Sequence, residues 1–215
     1  MIQLPASAAR RLVLLCVVAS TLGLSGCVGL AVTGAAVGTM AVLDRRSLGA
    51  QTEDQSIELR GLNELNVEIN DVGTGSISIT SFNRRVLLSG QAVNAQTKQR
   101  AEEIIRARVP NVGAIFNEVE VVGAAADFLT RTTDTSLTAR VKTGLVRERD
   151  LSANAIKVVT ERSTVYLMGL VTHNEGGRAA IISSQVSGVT RVVTLFEYIT
   201  EAELQKILRT ASNTS

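Results

Sequence analysis

Val86-Leu87-Leu88-Ser89-Gly90 and Val165-Tyr166-Leu167-Met168-Gly169 stand 79 positions apart and share one pattern, an apolar run closed by glycine. The likeness continues on both sides. Ile104-Ile105 and Val109-Pro110-Asn111-Val112 match Ile181-Ile182 and Val186-Ser187-Gly188-Val189, and Asp54 and Ile57 match Asp134 and Leu137. The chain therefore holds two copies of one unit, residues 54–122 and 134–200, joined by the small and polar stretch 123–133.

Each copy reads as helix, strand, strand, helix, strand. Leu137, Val141 and Leu145 recur at helical spacing in the first helix of the second copy, with Thr133 or Asp134 as its cap. The first copy is less regular there: Ile57, Leu62 and Leu65 follow the period roughly, and Gly61 interrupts it. Ser76-Ile77-Ser78-Ile79-Thr80 alternates as a strand with one buried face. Ile156-Lys157-Val158 takes that place in the second copy. Asn83-Arg84-Arg85 and Glu161-Arg162-Ser163 are the polar turns that follow; neither carries an Asn-Gly pair, so loop length stays open. Gly90 and Gly169 mark either positive φ or a close backbone approach. Ala101, Ile104, Ile105 and Val109 form the core stripe of one second helix, and Ala179, Ile182 and Val186 that of the other. Final strands fall near 115–122 and 191–199. The fold class is α+β, two tandem αββαβ units, each a three-stranded mixed sheet covered by two helices. Residues 201–215 form a short helix and a tail.

The N-terminus sets the compartment. Arg10 and Arg11 precede an apolar run over residues 12–24, and Leu24-Ser25-Gly26-Cys27 resembles a lipobox. Residues 1–26 are then a signal peptide, and Cys27 carries a diacylglycerol thioether and an N-acyl chain. Residues 27–53 hold the acylated cysteine and a Gly/Ala-rich tether. The tether reads as a spacer, with a segment lying along the headgroups as the alternative. Removing residues 1–26 leaves 20 basic and 20 acidic residues, so the precursor's basic balance says nothing about nucleic acid. Cys16 leaves with the signal and Cys27 is blocked, which removes disulfides and cysteine metal sites.

The remaining chemistry excludes most enzyme classes. His173 is the single histidine, placed in the polar stretch 172–177 ahead of a helix. No Cys/His zinc set exists, and a Ser-His-Asp arrangement has one poorly placed histidine. Gly73-Thr74-Gly75 lacks the Lys-Ser/Thr of a phosphate loop. Aromatics are few, which disfavours nucleic acid further. The chain reads as a non-enzyme with no cofactor beyond its own acyl groups and no metal. It assigns no oligomeric state.

The repeated unit, with glycine closing its second strand and Val-x-x-Val leading into its third, resembles the BON domain. The combination of lipobox, Gly/Ala tether, Asp44-Arg45-Arg46-Ser47-Leu48-Gly49 and two such units is similar to dual-BON lipoproteins. That resemblance implies an anchor on the periplasmic face of the outer membrane, an expectation supported by Val28 where an aspartate would favour inner-membrane retention. It also implies that the second BON domain binds anionic phospholipid, and that the protein supports envelope integrity and associates with division sites and the outer-membrane protein assembly machinery. Residues 54–122 carry 7 basic and 9 acidic residues, and 134–200 carry 8 and 6, so the second copy is the basic one. The lipid-contact expectation falls on Ser136, Arg140, Lys142, Arg147 and Arg149, whose cations reach phosphates while their stems lie on the surface. The family has a bulky aromatic at the place of Ser136, so its absence argues for peripheral contact over insertion. The alternative is a protein-interaction scaffold for which lipid is only the anchor, with an exposed strand edge accepting a partner strand.

Overall fold

The computed structural model describes residues 44–122, 129–149 and 151–212. Cys27, the run before it and tether residues 28–42 lie outside them. Domain 1 is built from α1 (Leu48–Leu65), which runs into a π turn (Asn66–Asn70), then β1 (Gly75–Phe82), β2 (Arg85–Ala92), α2 (Ala95–Arg108), β3 (Ile115–Asn117) and β4 (Glu120–Val121). Domain 2 repeats the order with α3 (Leu129–Arg147), β5 (Ile156–Glu161), β6 (Thr164–Val171), α4 (His173–Ser184) and β7 (Arg191–Tyr198). A last helix, α5 (Glu201–Ser212), follows.

The sheets are mixed, as the repeat predicts. β2 pairs antiparallel with β1 and parallel with β3 and β4. In the same way β6 pairs antiparallel with β5 and parallel with β7. The third strand of domain 1, expected as one piece, is split. Asn117 turns its side chain to the Lys98 carbonyl, and Val119 leaves the ladder to fill the core, so β3 and β4 are separate.

The first helices begin earlier than the periodicity suggests. α1 starts at Leu48, capped by Ser47, whose Oγ accepts the Ala50 N–H. α3 starts at Leu129, so Asp134 lies inside the helix and is no cap. Leu62 of α1 faces solvent; Ala50, Asp54, Ile57, Gly61 and Leu65 form the buried stripe. Gly61 belongs there because a Cβ would collide with Ile79 of β1 and press on Ile105 of α2. The polar stretch 172–177 is also helical instead of a loop. Thr172 and Glu175 make a reciprocal capping box, so α4 begins at His173. Gly176 allows that helix to lie on Phe196 and Tyr198, since a Cβ would sit 2.9 Å from the Tyr198 ring.

Both hairpins close with two-residue turns whose central residues are left-handed without being glycine. These are Asn83 and Arg84 (φ 51° and 62°) and Arg162 and Ser163 (φ 47° and 61°). A first-helix carboxylate holds each turn. Asp54 accepts the Asn83 and Arg84 N–H groups at 2.7 and 2.8 Å, and Asp134 accepts those of Arg162 and Ser163 at 2.7 and 2.9 Å. The strand-closing glycines differ in their reasons. Gly90 has φ +109° and a Cβ there would strike the Ser76 carbonyl, whereas Gly169 needs only the close approach, to the Ala155 carbonyl.

Strand alternation divides the interior into three cores. Val86 and Leu88 of β2 face the helices of domain 1, and Val165 and Leu167 of β6 face those of domain 2. The opposite faces meet: Leu87 and Phe82 pack with Tyr166, Met168, Leu170 and Leu195 in a core shared by the two sheets. This explains why β2 and β6 read as unbroken apolar runs; both are buried on both faces.

Candidate membrane-contact surface

α3 presents its core face through Leu137, Val141 and Leu145, all buried. The remaining circumference carries the lipid-contact candidates. Ser136, Arg140 and Arg147 fall on one exposed stripe at about 100° per residue, while Lys142 falls on the opposite flank of the buried face, roughly 160° from Arg140. Val146, 69% exposed, lies beside Lys142. Arg149 is exposed just past the helix end. The five residues therefore do not converge on one point; they border the solvent side of α3 on two flanks.

Arg140 is held in place, its guanidinium donating to the Ser187 carbonyl at 2.9 Å. Lys142 borders a cavity of about 310 Å³ at the domain seam, with Arg46, Phe82, Val146 and Lys157. The other two cations there are already engaged. Arg46 bridges Asp44 and Asp54 and lies over the Phe82 ring, and Lys157 pairs with Glu58 at 2.6 Å.

Ion pairing sorts the basic residues of domain 2 into two classes. Lys157, Arg162 and Arg191 pair with Glu58, Glu120 and Glu118 of domain 1 at 2.6, 3.0 and 3.4 Å. Arg178 pairs with Glu148. Beyond the first turn of α3, what remains is Arg140, Lys142, Arg147 and Arg149, none of them ion-paired among the described residues. Net charge by domain thus has a second cause that counting missed: the acidic and basic halves match each other across the seam. Arg147 also lies in the last turn of α3, where the helix dipole favours a cation.

A second cluster fixes where the N-terminal segment joins the body. Arg45, just before α1, reaches into domain 2. Its guanidinium donates twice to Glu175, at 2.6 and 2.7 Å, and once to the Leu170 carbonyl at 2.9 Å. Both side chains are buried, 5% and 11% exposed. Burial alone would raise the Glu175 carboxyl; the hydrogen bonds from Arg45 and the Thr172 N–H outweigh it and hold it below the usual carboxylate range. Sequence reading left Arg45 within the tether and assigned Glu175 no role. The Thr-x-x-Glu spacing was the available signal for the cap, but nothing local points to a partner 130 residues away.

Among the described residues, no group of three or more His, Cys, Asp or Glu side chains is placed to hold a metal, and no helix is long and apolar enough to cross a membrane. His173 stacks on Tyr198, ring centroids 4.1 Å apart.

The BON domain model matches residues 53–123 and again 133–200. The chain belongs to the BON-domain family. It is 32% identical over 180 residues to outer membrane lipoprotein DolP of Haemophilus influenzae, covering 84% of this chain and 92% of that one. It is also 28% identical over 160 residues to a 21 kDa hemolysin of Actinobacillus pleuropneumoniae, covering 73% and 80%. The similarity to DolP supports an outer-membrane lipoprotein with two BON domains, and such relatives point to a non-catalytic envelope protein.

Proposed function

We propose that this chain is acylated on Cys27, held at the periplasmic face of the outer membrane, and binds anionic phospholipid through α3 of domain 2. In that role it supports envelope integrity, at division sites among others. The observation that carries the reading is the partition of cations. Every described basic residue of domain 2 outside α3 and its immediate C-terminal end is ion-paired, while Arg140, Lys142, Arg147 and Arg149 on that helix and its end are left for an external anion. Each cation near an anionic surface contributes about 1 kcal/mol. The acyl chains supply location, because one chain alone binds marginally and two or more hold stably. Peripheral contact suits Ser136, which is exposed but offers little apolar surface.

The test separates the two parts. Cys27→Ala releases the chain from membranes, and the intact mass of the wild-type protein shows the acyl groups. With the released chain, vesicle flotation gives stronger binding to phosphatidylglycerol than to neutral vesicles. Arg140→Glu with Lys142→Glu weakens it by at least about thirtyfold, the roughly 2 kcal/mol of the two lost cations alone, and molar salt abolishes it. Equal recovery on neutral and anionic vesicles removes the lipid reading and leaves the anchor.

A further inference from the structure

The four outer strand edges of the two sheets are not treated alike. On β1, Asn70 both donates to the Ile77 carbonyl and accepts its N–H, at 3.0 and 2.8 Å. Glu58 accepts the Ser81 N–H and Lys157 donates to the Ser81 carbonyl. Side chains thus occupy that edge. The opposite edge of domain 1 is broken into β3 and β4. β5 is six residues long and carries Lys157, a charge of the kind that blunts edges.

β7 is less protected: its two charges, Arg191 and Glu197, lie near its ends and are already engaged by Glu118 and Asn83. It runs unbroken for eight residues, and among the described residues it pairs only with β6. The Ile199 N–H donates to the Val171 carbonyl, which fixes the parity of the parallel ladder. Val192, Thr194, Phe196 and Tyr198 therefore aim their backbone N–H and C=O groups away from β6. Thr194 and Tyr198 are exposed.

Alongside this edge lies α4, whose near flank is shallow. Gly177 has open space where a Cβ would be. Beyond it an apolar groove of about 390 Å³ is lined by Ala180, Ile181, Ser184, Val189 and Val192, with Ile181 59% exposed. The one charge on its rim is Arg191. A free strand edge beside a groove under a helix is the geometry that accepts an extended peptide by strand addition.

We propose that β7 and α4 form a docking site for an extended segment of another protein, which adds as a fourth strand antiparallel to β7. Backbone bonds to Val192 and Thr194, on the part of the strand before the buried Phe196, hold the segment, and an apolar side chain enters the Ile181 groove. Antiparallel addition brings the C-terminal side of the segment to Arg191, which is half-exposed and held to Glu118 only at 3.4 Å, so an acidic residue there can share its guanidinium and a basic one cannot. This site lies on elements that carry no lipid-contact candidate, and it stands or falls separately from the lipid reading.

The test uses the full chain in detergent and amide hydrogen exchange read by mass spectrometry. The probe is a peptide of β7's own length, alternating valine and threonine, with an aspartate on its C-terminal side and both ends blocked. The expected result is slower exchange confined to β7, about tenfold at a peptide concentration roughly nine times Kd. Thr194→Pro, which an edge strand tolerates, and Ile181→Asp both abolish the protection with the melting temperature unchanged. N-methylating one alternate set of peptide amides abolishes it too, and methylating the other set does not. Overturning results are no protection at millimolar peptide, protection that survives Thr194→Pro, or equal tolerance of both methylated peptides. A Thr194-dependent dimer by sedimentation without peptide would assign the edge to a second copy and also overturn the proposal.

Discussion

Asp54 and Asp134 do the same work in the two copies. Each sits inside a first helix, buried, and its carboxylate satisfies a turn whose two central residues are left-handed. A non-glycine residue in that region costs about 1–2 kcal/mol, so the carboxylate offsets a local strain as well as filling two N–H groups. Asp54→Ala and Asp134→Ala should each lower stability by about 2–4 kcal/mol in urea unfolding. The pH dependence has a definite sign. Burial alone would raise the Asp54 carboxyl; hydrogen bonds from Ser81, the Arg84 and Asn83 N–H groups and Arg46 outweigh it and lower it below the ordinary value. Glu175 is lowered likewise. Both contributions are complete above the unfolded values near pH 4 and are lost as pH falls through the folded ones. Acid titration should therefore show stability declining below about pH 4, and less steeply in Asp54→Ala. The sequence repeat exposes Asp54 and Asp134 as equivalent. Their partners were not legible, because a helix carboxylate and a turn nearly 30 residues on share no local pattern.

Elements were legible where one periodicity ruled. The strands of both hairpins and the second helices follow from apolar spacing, and the mixed pairing from the order strand, strand, helix, strand. Misreadings came where a side chain overrode the pattern. Asn117 splits the third strand of domain 1, and the Thr172–Glu175 box turns a glycine-rich stretch into helix. Leu62 looks like core by composition but lies on the outer face of α1, because Gly61 takes the packing position. The candidate site was partly readable. The basic residues of α3 stand out in sequence, yet only the fold shows that they occupy two flanks and that the other cations of the domain are paired. Glycines give a sharp test at this scale. Gly90→Ala combines left-handed φ with a backbone collision and should cost more than about 3 kcal/mol. Gly73→Ala has φ +75° but open space, and should cost only about 1–2 kcal/mol. Thermal melts of the two variants compare them directly; equal losses would show that the collision at Ser76 is relieved by movement.

The two copies form one body through the face that each sheet turns away from its own helices. Three half-exposed ion pairs cross the seam, each worth about 0–1 kcal/mol, beside an apolar core containing Leu87, Tyr166 and Met168. The apolar term dominates on these magnitudes. Unfolding should be a single transition whose midpoint barely moves in molar salt. Leu87→Ala, though in domain 1, should destabilise by about 2–4 kcal/mol and lower the melting of both domains together, as read from domain-specific NMR signals. Two separated transitions in the wild type would contradict this coupling. Excision of either copy would leave its sheet face bare, so neither repeat is a separable module despite the duplication. Arg45 adds a mechanical consequence. Its guanidinium is fastened to domain 2 while the next residues are fastened to domain 1. A pull on the chain from its N-terminal side is therefore met first at the seam, by Glu175 and the Leu170 carbonyl, and the load divides between the two domains before it can unwind α1.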